Sequence, residues 1–323
     1  MYLEPLSFLG ISTQQGQQKL GLVDSPQTAL KLFPKEWQLT KSSILRRNAN
    51  TAKIHRWDDL NRLDWDIYSQ AYREIRHQLS HGHFHINWGG DHSIGVATVG
   101  AFTSLYTNGF VLWIDAHADL NTPASSPTGN FHGMPMSFLL GIGAKSSPLA
   151  SPLWKSLHPS RLIYLGLRDL DPYEKYLINE LGITAYYAED LSDERFPRII
   201  EEIKAKVGHR PLHISFDIDS MDPIEAPSTG VPCPLGLSSY QIIQLSDELK
   251  AHCQVKSVDI VEINPEIGTV DDVLKTYMIA FNFLAPLIRT KKENTYVRNH
   301  HSTKNHLPVS LQWHLPIFPQ SAL

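Results

Sequence analysis

Short apolar runs alternating with segments of helical period constrain this chain most tightly. The runs at 84–88, 110–114, 162–166, 212–216 and 258–261 carry almost no charge, and continuous apolar runs of that length suit strands buried on both faces. Between them, Ile67, Ala71, Ile75 and Leu79 recur four apart behind Asp64, a residue type that caps helix N-termini. A helical stretch follows from Ser93 to about Tyr106. Pro172 suits the first turn of a helix carrying Tyr176, Leu177 and Leu181. Ser238 is placed to cap a helix from Tyr240 to Ala251, and Thr269 or Asp271 the long segment after it. Strands separated by helices need crossover connections. The expectation is therefore one α/β domain over 1–290, three layers deep (α/β/α) around a largely parallel sheet. Residues 41–53 are polar and read as loop. Residues 291–323 form a polar C-terminal extension that ends in Trp313, Leu315, Ile317 and Phe318. Its histidines, His300, His301, His306 and His314, have no carboxylates or cysteines spaced around them and read as a solvated tail.

Composition narrows the class. Lys and Arg number 29 against 33 Asp and Glu, a net charge of −4 that argues against nucleic acid or an anionic membrane as the main partner. Cys233 and Cys253 are the only thiols, which excludes a disulfide scaffold and a Cys-rich zinc module. The N-terminus has no basic stretch followed by a long apolar one. The most apolar segment, 277–288, is too short to span a bilayer and contains Asn282 and Pro286. A cytoplasmic protein is expected.

Polar residues collect where the strand-like runs end, which is where open parallel sheets bind ligands. Asp115, His117 and Asp119 follow one run at i, i+2 and i+4, a spacing that in extended backbone points to one face. Asp217 and Asp219 follow another. His92 follows the turn Gly89-Gly90, Glu262 closes a fourth run, and Asp169 and Asp171 close a fifth. Taken singly, each has a plainer explanation: Asp-X-Asp as a turn or cap, Asp91 as a structural hydrogen bonder, Asp171 as the cap before Pro172. Taken together they do not. Four carboxylates and two imidazoles from His92, Asp115, His117, Asp119, Asp217 and Asp219 gather only with cations or protons. Six ligands exceed what one tetrahedral ion needs, so two metals with bridging carboxylates are the natural arrangement. An oxygen-rich, sulfur-free set favours Mn²⁺, with Zn²⁺ or Co²⁺ as possible substitutes.

Gly89-Gly90-Asp91-His92-Ser93, Asp115-Ala116-His117-Ala118-Asp119 and Ser215-Phe216-Asp217-Ile218-Asp219-Ser220-Met221-Asp222-Pro223 resemble, in order, three signatures of the ureohydrolases, the arginase and agmatinase family. The resemblance runs from Leu6 to Pro265. It implies the arginase-like α/β/α fold and a binuclear manganese site. His92, Asp115, Asp119 and Asp217 would hold one ion. His117, Asp115, Asp217 and Asp219 would hold the other, with Asp115 and Asp217 bridging. The reaction implied is hydrolysis of a guanidino group to release urea, by a hydroxide bridging the two ions. Asp119 would orient that hydroxide, Glu262 would bind the substrate guanidinium, and His132 would shuttle protons as an imidazole near its ordinary pKa.

The loop 121–135 resembles the arginase form. Positions matching Asn121, Thr128 and Asn130 contact the substrate's α-carboxylate, and those matching Asp171 and Glu174 receive its α-ammonium. The substrate implied is therefore L-arginine, with L-ornithine and urea as products. The nearest alternative is agmatinase or another guanidino-compound hydrolase, discriminated by this loop. A non-catalytic metal-binding scaffold would be expected to have lost ligands, and a zinc amide hydrolase leaves several ligands unexplained. Val231 stands where arginases usually carry Thr, Ser25-Pro26 replaces Gly-Pro, and Thr128 replaces Ser. The resemblance also suggests a homo-oligomer, a trimer or hexamer.

Overall fold

The computed structural model describes residues 5–46, 63–142 and 157–288. The expected C-terminal extension, with its histidines, lies outside them. Eight strands form one sheet: β1 (Leu6–Ser12), β2 (Leu39–Arg46), β3 (Phe84–Gly89), β4 (Phe110–Ile114), β5 (Leu162–Leu167), β6 (Thr184–Tyr187), β7 (Pro211–Asp217) and β8 (Gln254–Val261). Their order is β2-β1-β3-β8-β7-β4-β5-β6, and every pairing is parallel. All five strand-like runs of the sequence are strands here. The chain passes from β3 to β4 across two positions that β7 and β8 fill later, so the four central strands come from distant parts of the sequence.

Helices α1 (Ser25–Leu32), α2 (Trp65–Ser80), α3 (Gly95–Leu105), α4 (Pro135–Leu139), α5 (Pro172–Glu180), α6 (Phe196–Val207), α7 (Ser239–His252) and α8 (Val270–Ile288) cover the sheet. Alternation along the strands divides the core in two. Phe110, Leu112 and Ile114 of β4 pack with α1, α6, α7 and α8, while Val111 and Trp113 pack with α2, α3, α4 and α5. The three-layer expectation is met. Among the described residues no helix is long and apolar enough to cross a membrane.

The helix caps follow the sequence closely. Asp64 accepts from Asp66 N at 3.2 Å, and Ile67, Ala71, Ile75 and Leu79 are all buried. Ser238 accepts from Gln241 N while Gln241 reaches back to Ser238 N, a reciprocal cap. Thr269 caps α8 through Asp272 N. Leu181 is the exception: α5 ends at Glu180, and Leu181 follows as its C-cap.

The loop expected at 41–53 is corrected in its first part. Residues 39–46 form the edge strand β2, whose parallel register on β1 runs from Leu6↔Leu39 to Ser12↔Arg46. An edge strand has one neighbour and keeps much of its surface in water, so its polar residues carry no apolar signature. The remainder of that stretch, from 47 onward, lies outside the described residues.

Candidate metal centre and its surroundings

The ends of β3, β4, β7 and β8 converge, and the candidate ligands converge with them. His92 Nδ1 lies 3.0 Å from Asp115 Oδ2, 3.1 Å from Asp119 Oδ2 and 3.0 Å from Asp217 Oδ2. His117 Nδ1 lies 3.4 Å from Asp115 Oδ1 and 3.2 Å from Asp219 Oδ2. Two ligand groups result, His92–Asp115–Asp119 and Asp115–His117–Asp219, and Asp115 belongs to both. Five of the six side chains are buried; His117 is about a quarter exposed, at 23%.

The donor set fits divalent cations. Metal–ligand bonds near 2.1 Å at right angles set neighbouring donors about 3.0 Å apart, close to the spacing found here. His92 Nδ1 and Asp119 Oδ2, though 3.1 Å apart, form no hydrogen bond of acceptable geometry with each other or with any other protein group. Atoms crowded together without bonding to one another are arranged around a common point.

The electrostatics agree. Burial and the charges of Asp219 and Asp115 push the Asp217 carboxyl well up. Burial and Asp115 push Asp119 up to about 6. Burial opposes charging His92, but the carboxylates of Asp115, Asp119 and Asp217 crowded around Nδ1 outweigh it and hold the imidazole well above its ordinary range. Without metal the cluster therefore holds protons, which bound cations would displace.

Local structure explains how the ligands get there, and it differs from extended backbone. After β4 the chain bends: Asp115 Oδ1 accepts from His117 N at 2.7 Å, and Asp119 sits at φ 49°. The i, i+2, i+4 residues do share the cluster, but through this bend and the left-handed residue rather than through strand alternation. Asp217 combines two roles, since its Oδ1 caps the 3-10 turn Ile218–Ser220 by accepting from Asp219 N at 2.9 Å while Oδ2 faces His92. Trp113 supports both groups, donating Nε1–H to Asp115 Oδ2 at 2.9 Å and stacking on His92 at 3.9 Å between ring centres. Asp91 is the structural bonder expected, accepting from Gly16 N, Ser93 N and Ser93 Oγ.

Glu262 lies beside the cluster at φ 63°, a left-handed backbone unusual for this residue type. Its Oε1 accepts from His92 N at 2.8 Å and meets His132 Nδ1 at 3.1 Å; its Oε2 accepts from Gln17 Nε2 at 2.6 Å. Burial raises the Glu262 carboxyl, but the bond and charge of His132 outweigh it and hold it below its ordinary value. Burial likewise opposes charge on His132, yet Glu262 raises it to about 9. The imidazole near its ordinary pKa expected from sequence is thus corrected, because the neighbouring carboxylate keeps the proton on.

On the rim, Asn121 Nδ2 donates to Asp171 Oδ2 at 2.8 Å, and Asn130 N donates to Thr128 Oγ1 at 3.1 Å. Asp171 is also the N-cap residue of α5. Glu174 is buried, with Oε1 accepting from Leu120 N at 2.9 Å and Oε2 from Asp171 N at 3.0 Å. Both of its oxygens are engaged in tying α5 to the loop. Asp169 is exposed, 3.7 Å from His117 Nε2.

Sequence reasoning passed over two residues. Gln17 carried no pattern, and only the folded chain sets it against Glu262. Arg168 donates to the carbonyls of Gly166, Asp219, Ser220, Met221, Cys233 and Pro234, clamping the loop after β7.

Comparison with known proteins agrees with this geometry. The arginase of Schizosaccharomyces pombe is 36% identical over 67% of this chain and 68% of its own. The solved structure of Bacillus cereus arginase superposes with a TM-score of 0.79 at 27% identity, covering 89% of this chain and 99% of that one. Entamoeba histolytica arginase, solved in complex with L-ornithine, gives a TM-score of 0.77 at 27% identity over 90% of this chain and all of that one, 100%. The profile of the arginase family matches residues 5–288, and the chain belongs to that family.

Proposed function

We propose that the chain hydrolyses L-arginine to L-ornithine and urea at a centre of two Mn²⁺ ions. One observation carries the reading: Asp115 is shared by two histidine–carboxylate groups that lie beside Glu262, a buried carboxylate held ionised. His92, Asp115, Asp119 and Asp217 would hold one ion, and His117, Asp115, Asp217 and Asp219 the other. Bound there, the cations supply Lewis acidity and lower the pKa of water into the neutral range.

The protein's own groups do the rest. Glu262 receives the guanidinium, which competes with Gln17 and His132 for its oxygens. As that cation neutralises Glu262, the interaction holding the His132 proton weakens, and the imidazole moves from about 9 back toward its ordinary value. Substrate binding thus readies the proton for the amine that leaves. Asp119 Oδ2, free of protein donors, accepts a hydrogen bond from the attacking water. Water oxygen bonds to the guanidino carbon, losing one proton to solvent and the other to Asp119 Oδ2. The bond from that carbon to the side-chain nitrogen breaks, that nitrogen leaves as ornithine's amine with the proton from His132, and the proton on Asp119 returns through solvent to His132.

The rim supports an α-amino acid. Carboxylate and ammonium sit on one carbon, so their partners must be neighbours, as Asn121 and Asp171 are at 2.8 Å. Thr128 and Asn130 complete the carboxylate side, and Glu174 acts on the ammonium side by positioning Asp171. The catalytic unit is 1–290, and we read the protein as a cytoplasmic homo-oligomer, a trimer or hexamer.

The test compares urea release from L-arginine and agmatine by protein stripped of metal and reloaded with Mn²⁺. Arginine should be preferred, and Asn121→Ala should reduce that preference about tenfold or more, as loss of a buried polar partner does. Preference for agmatine would overturn the substrate reading, and metal-independent activity would overturn the centre.

A further inference from the structure

The face of the central strands beneath the cluster is polar where a parallel sheet is ordinarily apolar. Strand register sets Asn87, Asp259, Ser215 and Trp113 side by side across β3, β8, β7 and β4. This row lies two residues before Asp217, on the same face. Asp259 is wholly buried, and an unpaired carboxylate there would cost several kcal/mol. It has four donors instead. Oδ1 accepts from Asn87 Nδ2 at 2.8 Å; Oδ2 accepts from Thr98 Oγ1 at 2.6 Å and from His213 Nε2 and Ser215 Oγ, both at 3.1 Å. Apolar side chains would fill this layer without such a network, so the carboxylate calls for a role beyond packing.

Ser215 supplies it. Its Oγ also lies 2.9 Å from His92 Nε2. The single hydroxyl proton points to Asp259, so toward His92 the oxygen has only lone pairs to offer and must accept. His92 Nε2 therefore carries a proton, and the nitrogen left to act as a ligand is Nδ1, the one facing Asp115, Asp119 and Asp217. We infer that Asp259 is a positioning residue for the metal centre, acting through Ser215 to fix the protonation and ring orientation of His92. The inference rests on the metal-centre reading above and extends it one layer into the sheet. Burial works against charge on Asp259, but His213, with Thr98 and Asn87, outweighs it and holds the carboxyl below its ordinary value. A charged acceptor at the end of such a chain strengthens each bond along it and raises ligand basicity.

The experiment is a Mn²⁺ titration of the full chain, stripped of metal, with free Mn²⁺ counted by its paramagnetic resonance signal. The wild-type chain should take up two ions. Ser215→Ala and Asp259→Asn should each weaken uptake of one ion by about 10–100-fold, the usual effect of losing an outer partner. The double variant should fall within about twofold of the weaker single one, because the two residues act in series. Unchanged affinity in a folded Asp259→Asn overturns the inference, and so do losses that multiply, since a merely structural carboxylate acts independently of Ser215. If Asp259→Asn does not fold, Thr98→Val takes its place by removing another donor to the same oxygen and sparing Ser215. Its affinity should stay within about twofold of wild type while that of Ser215→Ala falls; equal losses overturn the relay. A wild-type chain that takes up no Mn²⁺ refutes the metal centre itself, and the relay with it.

Discussion

Gly90→Ala is the most revealing single change, because it adds one methyl group where the backbone leaves no room. A Cβ on Gly90 would stand 1.8 Å from the Thr13 carbonyl oxygen, where real Cβ atoms essentially never approach within 3.0 Å. The backbones must separate by about 1.2 Å, and no flexible side chain lies between them to yield. Opening that gap strains the packing, at about 1–3 kcal/mol. It also breaks the bond from Asp91 N to Thr13 O, 3.1 Å long, leaving buried groups unpaired at about 1–3 kcal/mol more. A loss of about 2–6 kcal/mol lowers Tm by roughly 3–10 °C for a domain of this size. The function suffers separately, because Glu262 N donates to Gly90 O at 2.8 Å. Displacing that carbonyl moves the residue proposed to hold the substrate, and a misplacement of about 1 Å costs on the order of 100-fold in rate.

Gly89→Ala is the control. Its Cβ meets the Ile94 Cδ1 methyl at 2.6 Å and Val261 Cγ1 at 3.0 Å, the ends of side chains that can shift, at about 1–3 kcal/mol. Both variants would be followed by calorimetry and by urea release from L-arginine with Mn²⁺. If Gly90→Ala matches Gly89→Ala in Tm and retains kcat/KM within about threefold of wild type, the argument from backbone crowding is wrong.

Other consequences are as direct. In Glu262→Gln the His132 imidazole, raised to about 9 by its carboxylate neighbour, should titrate at or below about 6.5, read by NMR; an unmoved titration would refute the coupling. By the same linkage, the His132–Glu262 contact stabilises the fold fully only between the unfolded pKa values of its partners, about 4.3 and about 6.5, and loses that contribution as pH rises further, through about 9. Glu262→Gln should therefore flatten the fall in stability over that window, measured by denaturant unfolding at several pH values. Arg168→Lys should cost about 2–4 kcal/mol in the same assay, because one ammonium does not replace a planar fork serving six carbonyls. An unfolding midpoint equal to wild type would show that the clamp is dispensable.

Five strands buried on both faces were legible because runs of mainly apolar residues suit such positions. β2 and β6 were not. β2 lies on an edge and β6, at the other, is half-buried throughout, so neither needs an apolar run. β1 is buried along its whole length, but Gly10 and its serines break the apolar pattern that would have marked it. The residues of the candidate metal centre were legible as a group for a chemical reason, since four carboxylates and two histidines at strand ends have few other uses. Gln17, Arg168 and Asp259 are ordinary residue types in unremarkable settings, and what they do depends on partners far away in the chain. Gln17 and Glu262 are 245 positions apart.

The amino-acid sequence by itself determined the class of fold, the residues gathered at its centre and the chemistry those residues share. These depend on side-chain type and on strand and helix periods, which act over a few residues. Only the tertiary structure decided which oxygen of Asp217 caps a turn and which faces His92, that Glu262 holds His132 charged, and that a buried carboxylate stands behind Ser215. Those are matters of distance and direction, and in water the same groups would be hydrated, separate and at their ordinary pKa values. The fold removes that water and sets the groups about 3 Å apart, where one charge decides the proton on the next.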